Sequence, residues 1–325
     1  MEQIVYKFLD HTDEELKKYR ALWDEIFEDP KAFSDYYFAN ICTTNRLLGA
    51  YDNGRLIGMV HANPYRVKDS VKNCVYNCYY IVGVAVRPEY RNQGYMRSMM
   101  CRMMNTLKEE DCPFVFLMPK NKSYYHSLGF ITVYDTKVII CRLMDNTNYM
   151  DCLKHSGVIF DRIDKKTKQS LVKYSNTALA NQYRFFSERT SEYFMAMMEE
   201  HTCQNGNAVV VREREIIVGT FAYAVYDSIF YVERMEVYCE EALNVMTDAF
   251  FDLAQKEGCI TMELTVAARY ADKIKKEIHQ KTELRLTDSD NIMHEHDGYG
   301  IMACALQDDF SVNEMKNMSF FNEIV

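Results

Sequence analysis

Residues 82–104, VGVAVRPEYRNQGYMRSMMCRMM, constrain the fold more than any other stretch, because an apolar strand there runs through an Arg/Gly loop straight into an amphipathic helix. Tyr80, Val82, Val84 and Val86 alternate in period two, while Met96, Met99, Met100, Met103, Met104 and Leu107 recur at helical spacing. The turn between them has to be sharp, and Gly94 allows it at no side-chain cost. The amides of Asn92, Gln93, Gly94, Tyr95, Met96 and Arg97 then sit at a helix N-terminus, where the dipole favours an anion. Such a junction predicts a phosphate cradle.

These residues resemble motif A of the GNAT superfamily of N-acetyltransferases, whose loop reads Arg or Gln, two residues, Gly, one residue, then Gly or Ala. Arg91, Gly94 and Met96 occupy those places. Met96 departs from the small residue and is followed by Arg97, a variant similar to the enhanced intracellular survival (Eis) branch. A second match lies downstream in KNKSYYHSLGF, where Tyr125, Gly129 and Phe130 fill the pattern Tyr, three residues, Gly, aromatic. Two ordered motifs at the right separation carry far more weight than one. The resemblance covers residues 1 to about 145 well, the middle of the chain less, and the last twenty residues hardly at all.

At 325 residues the chain is long enough for two domains, since one domain runs to ~100–200 residues. With 48% hydrophobic residues and only 12 Gly and 5 Pro, it reads as compact and ordered. A net charge of −9 argues against a nucleic-acid partner and suits an amine-bearing acceptor. The first twenty residues lack a signal-peptide pattern and no stretch of about 18 apolar residues occurs, so a cytoplasmic protein without membrane contact is expected. Eleven cysteines without a CxxC pair are expected to be free thiols. His294 and His296 in MHEHDGYG lack cysteine partners and are read as a solvated loop, so no metal is expected.

The expected fold class is α/β (α+β), with mixed, mostly antiparallel sheets flanked by helices. Leu16, Tyr19, Leu22, Trp23, Ile26 and Phe27 share one face of a helix over residues 14–28. RLLGAY and RLIGMVHA flank a hairpin turn at Asn53-Gly54. A strand at 114–118, a helical turn at Tyr125 and strands within 130–143 complete a first unit, residues 1–145. The polar run 144–157 marks a boundary, and residues 150–305 repeat the same order of elements. In the repeat, Tyr238-Cys239-Glu240-Glu241 stands where the glycine loop stood, and two carboxylates at a helix N-terminus repel a pyrophosphate. The second unit is therefore expected to be a degenerate GNAT-like domain, and tandem domains are also what the Eis resemblance implies. Residues 306–325 form a tail, read as a surface helix that packs Phe320 and Phe321, in place of that family's third, sterol-carrier-like domain. The resemblance leaves open whether the Val325 carboxylate enters the site, and it implies a homo-oligomer.

The resemblance further implies acetyl-CoA as co-substrate, with Val84, Ala85 and Val86 pairing with the pantetheine arm and residues 92–97 holding the pyrophosphate. Arg91 and Arg97 add charge there, Arg102 either does the same or is solvated, and Lys120 and Asn121 match positions near which the cofactor passes. Tyr125, with Tyr124 as its rival, is the expected general acid that protonates the departing thiolate. An amine of pKa near ~10.4 needs a base or a water chain, for which His61, Glu89 and His126 are the candidates and none is selected. Trp23, Phe27, Asp29, Tyr36 and Tyr37 interleave aromatics with carboxylates, which suits either a polyamine-like or aminoglycoside-like acceptor or a lysine side chain, or equally an ordinary amphipathic helix packed on the sheet. The alternative function is an acyl-CoA sensor that binds cofactor without turnover.

Overall fold

The computed structural model describes residues 4–143, 158–164, 167–283 and 293–321. The boundary expected at 144–157 and Val325 lie outside those residues. The first half contains β1 (Val5–Phe8), α1 (Asp13–Ile26), α2 (Lys31–Tyr36), β2 (Arg46–Asp52), β3 (Arg55–Asp69) and β4 (Cys74–Val86), then α3 (Tyr95–Glu109), β5 (Phe114–Leu117), α4 (Ser123–His126) and β6 (Ile131–Arg142). The second half contains β7 (Val158–Arg162), α5 (Thr167–Gln182), β8 (Phe185–Ser187), α6 (Ser191–Cys203), β9 (Gly206–Glu213), β10 (Ile216–Tyr226) and β11 (Ile229–Val237). It continues with α7 (Leu243–Lys256), β12 (Thr261–Ala267), α8 (Ala271–Glu283), β13 (Met293–Ala305) and β14 (Ser319–Phe320).

Local chemistry explains several boundaries. Asn53 and Gly54 take φ values of +49° and +79°, the left-handed pair that a two-residue hairpin needs between β2 and β3. Thr12 caps α1 by accepting from the Glu15 amide (3.4 Å), and Tyr19, Leu22 and Trp23 form its buried face. In α3 the buried stripe is Met99, Met100, Met103 and Leu107, four of the residues at helical spacing in the sequence.

The sheet is mixed, mostly antiparallel and flanked by helices, as the sequence pattern predicts. Its strands run β1-β2-β3-β4-β5-β13-β6-β12-β11-β10-β9-β7 without interruption. The pairs β4–β5 and β11–β12 are parallel. One expectation fails: residues 130–143 form the single strand β6, because ITVYDTKVIICR contains no Gly, Pro or Asn-Gly turn to break it. The strand between β5 and β6 comes instead from β13, with Ala303 opposite Phe116 on one side and Ile131 on the other. β6 in turn pairs with β12, Val138 lying opposite Thr265. The two halves thus exchange strands and share one sheet. His294 and His296, expected in a loop, lie on β13 opposite Ile140 and Val138.

Helix α3 covers one face of the first half: a Cβ on Gly58 would lie 2.8 Å from Met99. Helix α1 covers the other face. The tail belongs to that second layer and is not a surface helix. Its residues 319–320 pair in parallel with β8, and β8 pairs with β3. Phe320 and Phe321 are fully buried, and Phe321 stacks on Phe116 of β5 at 4.9 Å. Arg184 ties the layer down by pairing with Asp69 (3.1 Å) and Glu314 (2.7 Å).

Residues 1–143, without β12 and β13, leave β5 with an open edge and β6 with neither of its strand partners, and uncover the partners of Ile301 and Met302, a loss of ~1.5–3 kcal/mol per large side chain. That fragment is expected to aggregate or to melt without a cooperative transition. A monodisperse fragment with a sharp melt by circular dichroism would show that the first half folds alone.

Candidate active site

The site is built where β4 parts from β5. The parallel pairing covers Tyr79, Tyr80 and Ile81 of β4, opposite Val115, Phe116 and Leu117, and stops there. Beyond it β4 remains paired to β3 through Val82, Ala85 and Val86. The edge of residues 82–86 that faces β5 therefore carries backbone groups that bond no neighbouring strand, and of these the Val86 carbonyl accepts from Arg91 Nε. Between Met59 and His61 the register slips, which places one extra residue on β4. Gly83 occupies that bulge at φ +60°, and a Cβ there would lie 2.8 Å from Trp23 and 3.2 Å from His61. The period-two alternation by itself does not single out Gly83, although a glycine inside a strand is a signal of a bulge.

The chain then enters the Arg/Gly loop. Asn92 and Gly94 have φ values of +62° and +83°, and Gly94 is the N-cap of α3. No side chain caps this helix, and Ser98 is the first residue whose amide closes the ladder, onto the Gly94 carbonyl (3.0 Å). The amides of residues 95–97 have no acceptor among the described residues, and a Cβ on Gly94 would meet no atom within 4 Å. A bare helix N-terminus beside an empty surface fits a pyrophosphate. The loop is braced from behind: Arg91 Nε donates to the Val86 carbonyl (3.0 Å), Gln93 Nε2 to the Glu89 carbonyl (3.2 Å), and the Tyr90 hydroxyl to Asp52 (2.8 Å). Arg97 reaches across to Ser127 Oγ (2.9 Å), a partner that sequence reasoning missed. Arg102 points elsewhere, its guanidinium lying 4.4 Å from the Tyr6 ring centroid.

Past β5, Asn121 Oδ1 accepts from the Ser123 amide (2.9 Å) and hydroxyl (2.8 Å) and so starts α4. Lys120 is exposed. Burial separates the two tyrosines, Tyr124 being 63% exposed and Tyr125 9%. Tyr125 packs edge-on against Phe130 (5.8 Å), and burial pushes its phenol up to about 12. Its hydroxyl makes no hydrogen bond among the described residues.

On the other side of the bulge, Trp23 and Tyr37 are core residues whose polar atoms are already engaged. The Trp23 indole stacks on Tyr37 (4.5 Å) and donates to Asp29 (2.8 Å). The Tyr37 hydroxyl accepts from Asn45 Nδ2 (3.0 Å) and lies 2.8 Å from His61 Nδ1. Nε2 is enclosed without a partner, and burial lowers the His61 pKa to about 3, so the ring is neutral. Phe27 and Asp29 sit at the rim, and Tyr36 donates to the Ala196 carbonyl of α6 (3.4 Å), where the two halves meet. Of the other base candidates, Glu89 is exposed and pairs with Arg55 (3.0 Å), and His126 is exposed on α4.

The second half repeats the opening but fills it. β11 parts from β12 after Val232, and its bulge residue is Arg234 at φ +47°. Arg234 is buried in a 2.7 Å pair with Glu200. At the start of the following helical turn Glu240 pairs with Lys273, and the Cys239 thiol donates to Glu241 (2.9 Å).

The family comparison falls on the first half. Residues 8–133 match the acetyltransferase (GNAT) domain. That stretch is similar to a GNAT acetyltransferase domain. No curated protein matches the chain in sequence. Among solved structures it is similar to an Enterococcus faecalis V583 protein described as a probable N-acyltransferase (15% identity, TM-score 0.67, 93% of this chain and 73% of that one). It is also similar to a GCN5-related N-acetyltransferase from Kribbella flavida (15%, 0.63, 93% and 72%). Saccharomyces cerevisiae N-myristoyltransferase with bound myristoyl-CoA is similar at 10% identity and a TM-score of 0.58, over 94% of this chain and 83% of that one. The acetyltransferase match contains the bulge, the glycine loop, α3 and Tyr125, and ends before β7. No helix among the described residues is long and apolar enough to cross a membrane.

Within the matched stretch the bulge is a steric requirement. Gly83→Ala is expected to destabilise the protein by about 2–4 kcal/mol, combining overpacking against Trp23 with a strained left-handed residue. Urea unfolding measures this, and a loss below about 0.5 kcal/mol would show that Trp23 and His61 yield freely.

Proposed function

We propose that the chain is an acetyl-CoA-dependent N-acetyltransferase acting on a primary amine, either a polyamine-like or aminoglycoside-like small molecule or a lysine side chain. The observation that carries this reading is the meeting of two unsatisfied backbone surfaces, the free edge of β4 and the uncapped start of α3. Residues 84–86 would bond the pantetheine arm as an added strand, and residues 92–97 would hold the pyrophosphate. The match to a GNAT domain supports acyl transfer from acyl-CoA.

The thioester supplies an activated acyl group. The neutral amine attacks its carbonyl carbon and a C–N bond forms; the C–S bond breaks, the thiolate leaves with a proton from the Tyr125 hydroxyl, and the proton shed by the acylated nitrogen returns through water to the tyrosinate. Tyr125 suits that role because its hydroxyl is uncommitted and burial keeps it protonated. The amine must lose a proton before attack. A neutral, enclosed His61 is a poor direct base, which leaves a water path or a group of the acceptor itself. Phe27 and Asp29 at the rim, in a chain of net charge −9, suit a cationic acceptor. The second half is read as catalytically silent, since Arg234 and Glu200 fill its opening and carboxylates stand at its helix start.

A thiol-release assay against aminoglycosides, polyamines and lysyl peptides tests the activity. Turnover with one class is expected; tight CoA binding without turnover on any of them would favour the sensor. Tyr125→Phe is expected to lower kcat by about 100-fold or more while CoA affinity stays within about twofold. Full activity in that variant would remove Tyr125 from the mechanism.

The alkaline limb gives a separate check. The folded Tyr125 pKa lies above the ordinary phenol value, so the acid stays protonated until the pH approaches about 12. The rate should therefore show no loss attributable to an acid titrating near ~10, the ordinary tyrosine value. A fall in kcat between about pH 9 and 10.5 in wild type that disappears in Tyr125→Phe would contradict this.

A further inference from the structure

The filled second half still has a cavity that its own chemistry leaves unexplained. At the end of β12 a cleft of about 280 Å³ is walled by Tyr134 and Asp135 of β6, by Tyr183 and Arg269, and by Lys316 and Ser319 of the tail. In a chain of net charge −9 this cleft faces two cations against a single carboxylate. That carboxylate is already neutralised, since Asp135 accepts from Lys122 Nζ (2.7 Å). Arg269 lies over the rings of Tyr183 and Tyr270, 4.9 Å from each centroid, which fixes the plane of its guanidinium. Among the described residues no carboxylate pairs with Arg269 or Lys316.

Tyr183 also lines the cleft, but its hydroxyl is enclosed and out of a ligand's reach. The Arg269 guanidinium fork and the Lys316 ammonium are both donors, which disfavours a cation and favours an oxyanion. The cavity lies at the small end of ligand sites, which span ~300–1,000 Å³, so the ligand has few heavy atoms.

We propose that this cleft binds a small oxyanion, a carboxylate or a phosphate, between Arg269 and Lys316. The site does not depend on the acetyltransferase reading. It joins β6, the strand both halves share, to the tail segment that precedes Phe321, so an occupant braces the layer over β5.

Calorimetric titration of the full chain with sodium phosphate and with citrate, against sodium chloride at matched ionic strength, tests it. Saturable binding of at least one oxyanion is expected, and the arm that binds more tightly distinguishes phosphate from carboxylate. The double variant Arg269→Gln, Lys316→Gln should bind that anion at least about tenfold more weakly. Both positions are probed in a protein whose melt shows an intact fold. Unchanged binding in the double variant would assign the anion to the loop before α3 and overturn the proposal. So would a response that chloride reproduces.

Discussion

The geometry of the first half depends on what pins β5. This strand has four residues, too few to hold a position by itself, and it is fixed by parallel bonds to β4 on one side and antiparallel bonds to β13 on the other. Because both partners hold it rigidly, β4 can leave it abruptly after Ile81 and the opening stays open. A frayed β5 would be free to follow β4 and satisfy the edge that the site needs unsatisfied. The apolar layer behind it, Phe116 against Phe321 and Tyr80, adds a second constraint from a part of the chain remote in sequence.

Much of this site is legible in the order of the residues. The alternation through Val86, the methionine spacing of α3 and the glycine between them each obey a local rule, so strand, turn and helix follow from neighbours in sequence. Tyr125 is separable from Tyr124 by its distance to Gly129, and their burial differs in the same sense. What is not legible is everything that depends on distant pairing. No local signal marks Ala303 as the neighbour of Phe116, and the tail reads as amphipathic whether it lies on the surface or under it. Trp23 and Tyr37 illustrate a different limit. Aromatics beside carboxylates look like a binding surface, but one Asp29 bonded to an indole and one imidazole bonded to a phenol are enough to turn the same composition into core.

The two halves show how one backbone plan is kept open or closed. Both parallel pairs end early and both departing strands bulge. In the first half the bulge residue is glycine, and the space beside it is bounded by an indole and a neutral imidazole. In the second it is arginine, which brings a charge into the opening and requires Glu200 to balance it. A buried charge pair of this kind gives little net stability but strongly penalises removal of either partner. The uncapped helix start behaves the same way: bare amides on one side, carboxylates on the other.

The exchange of strands also sets the order in which the molecule can be assembled. The Cys304 thiol donates to the Leu128 carbonyl across a separation of 176 residues, and the pairing of β13 with β5 is of the same reach. Contacts of that span are formed late and slow folding. During synthesis the first half therefore leaves the ribosome with β5 and β6 exposed and waits until β13 has been made. Such a nascent chain is a natural client for chaperones, and the opening beside β4 comes into being only when translation has passed residue 305.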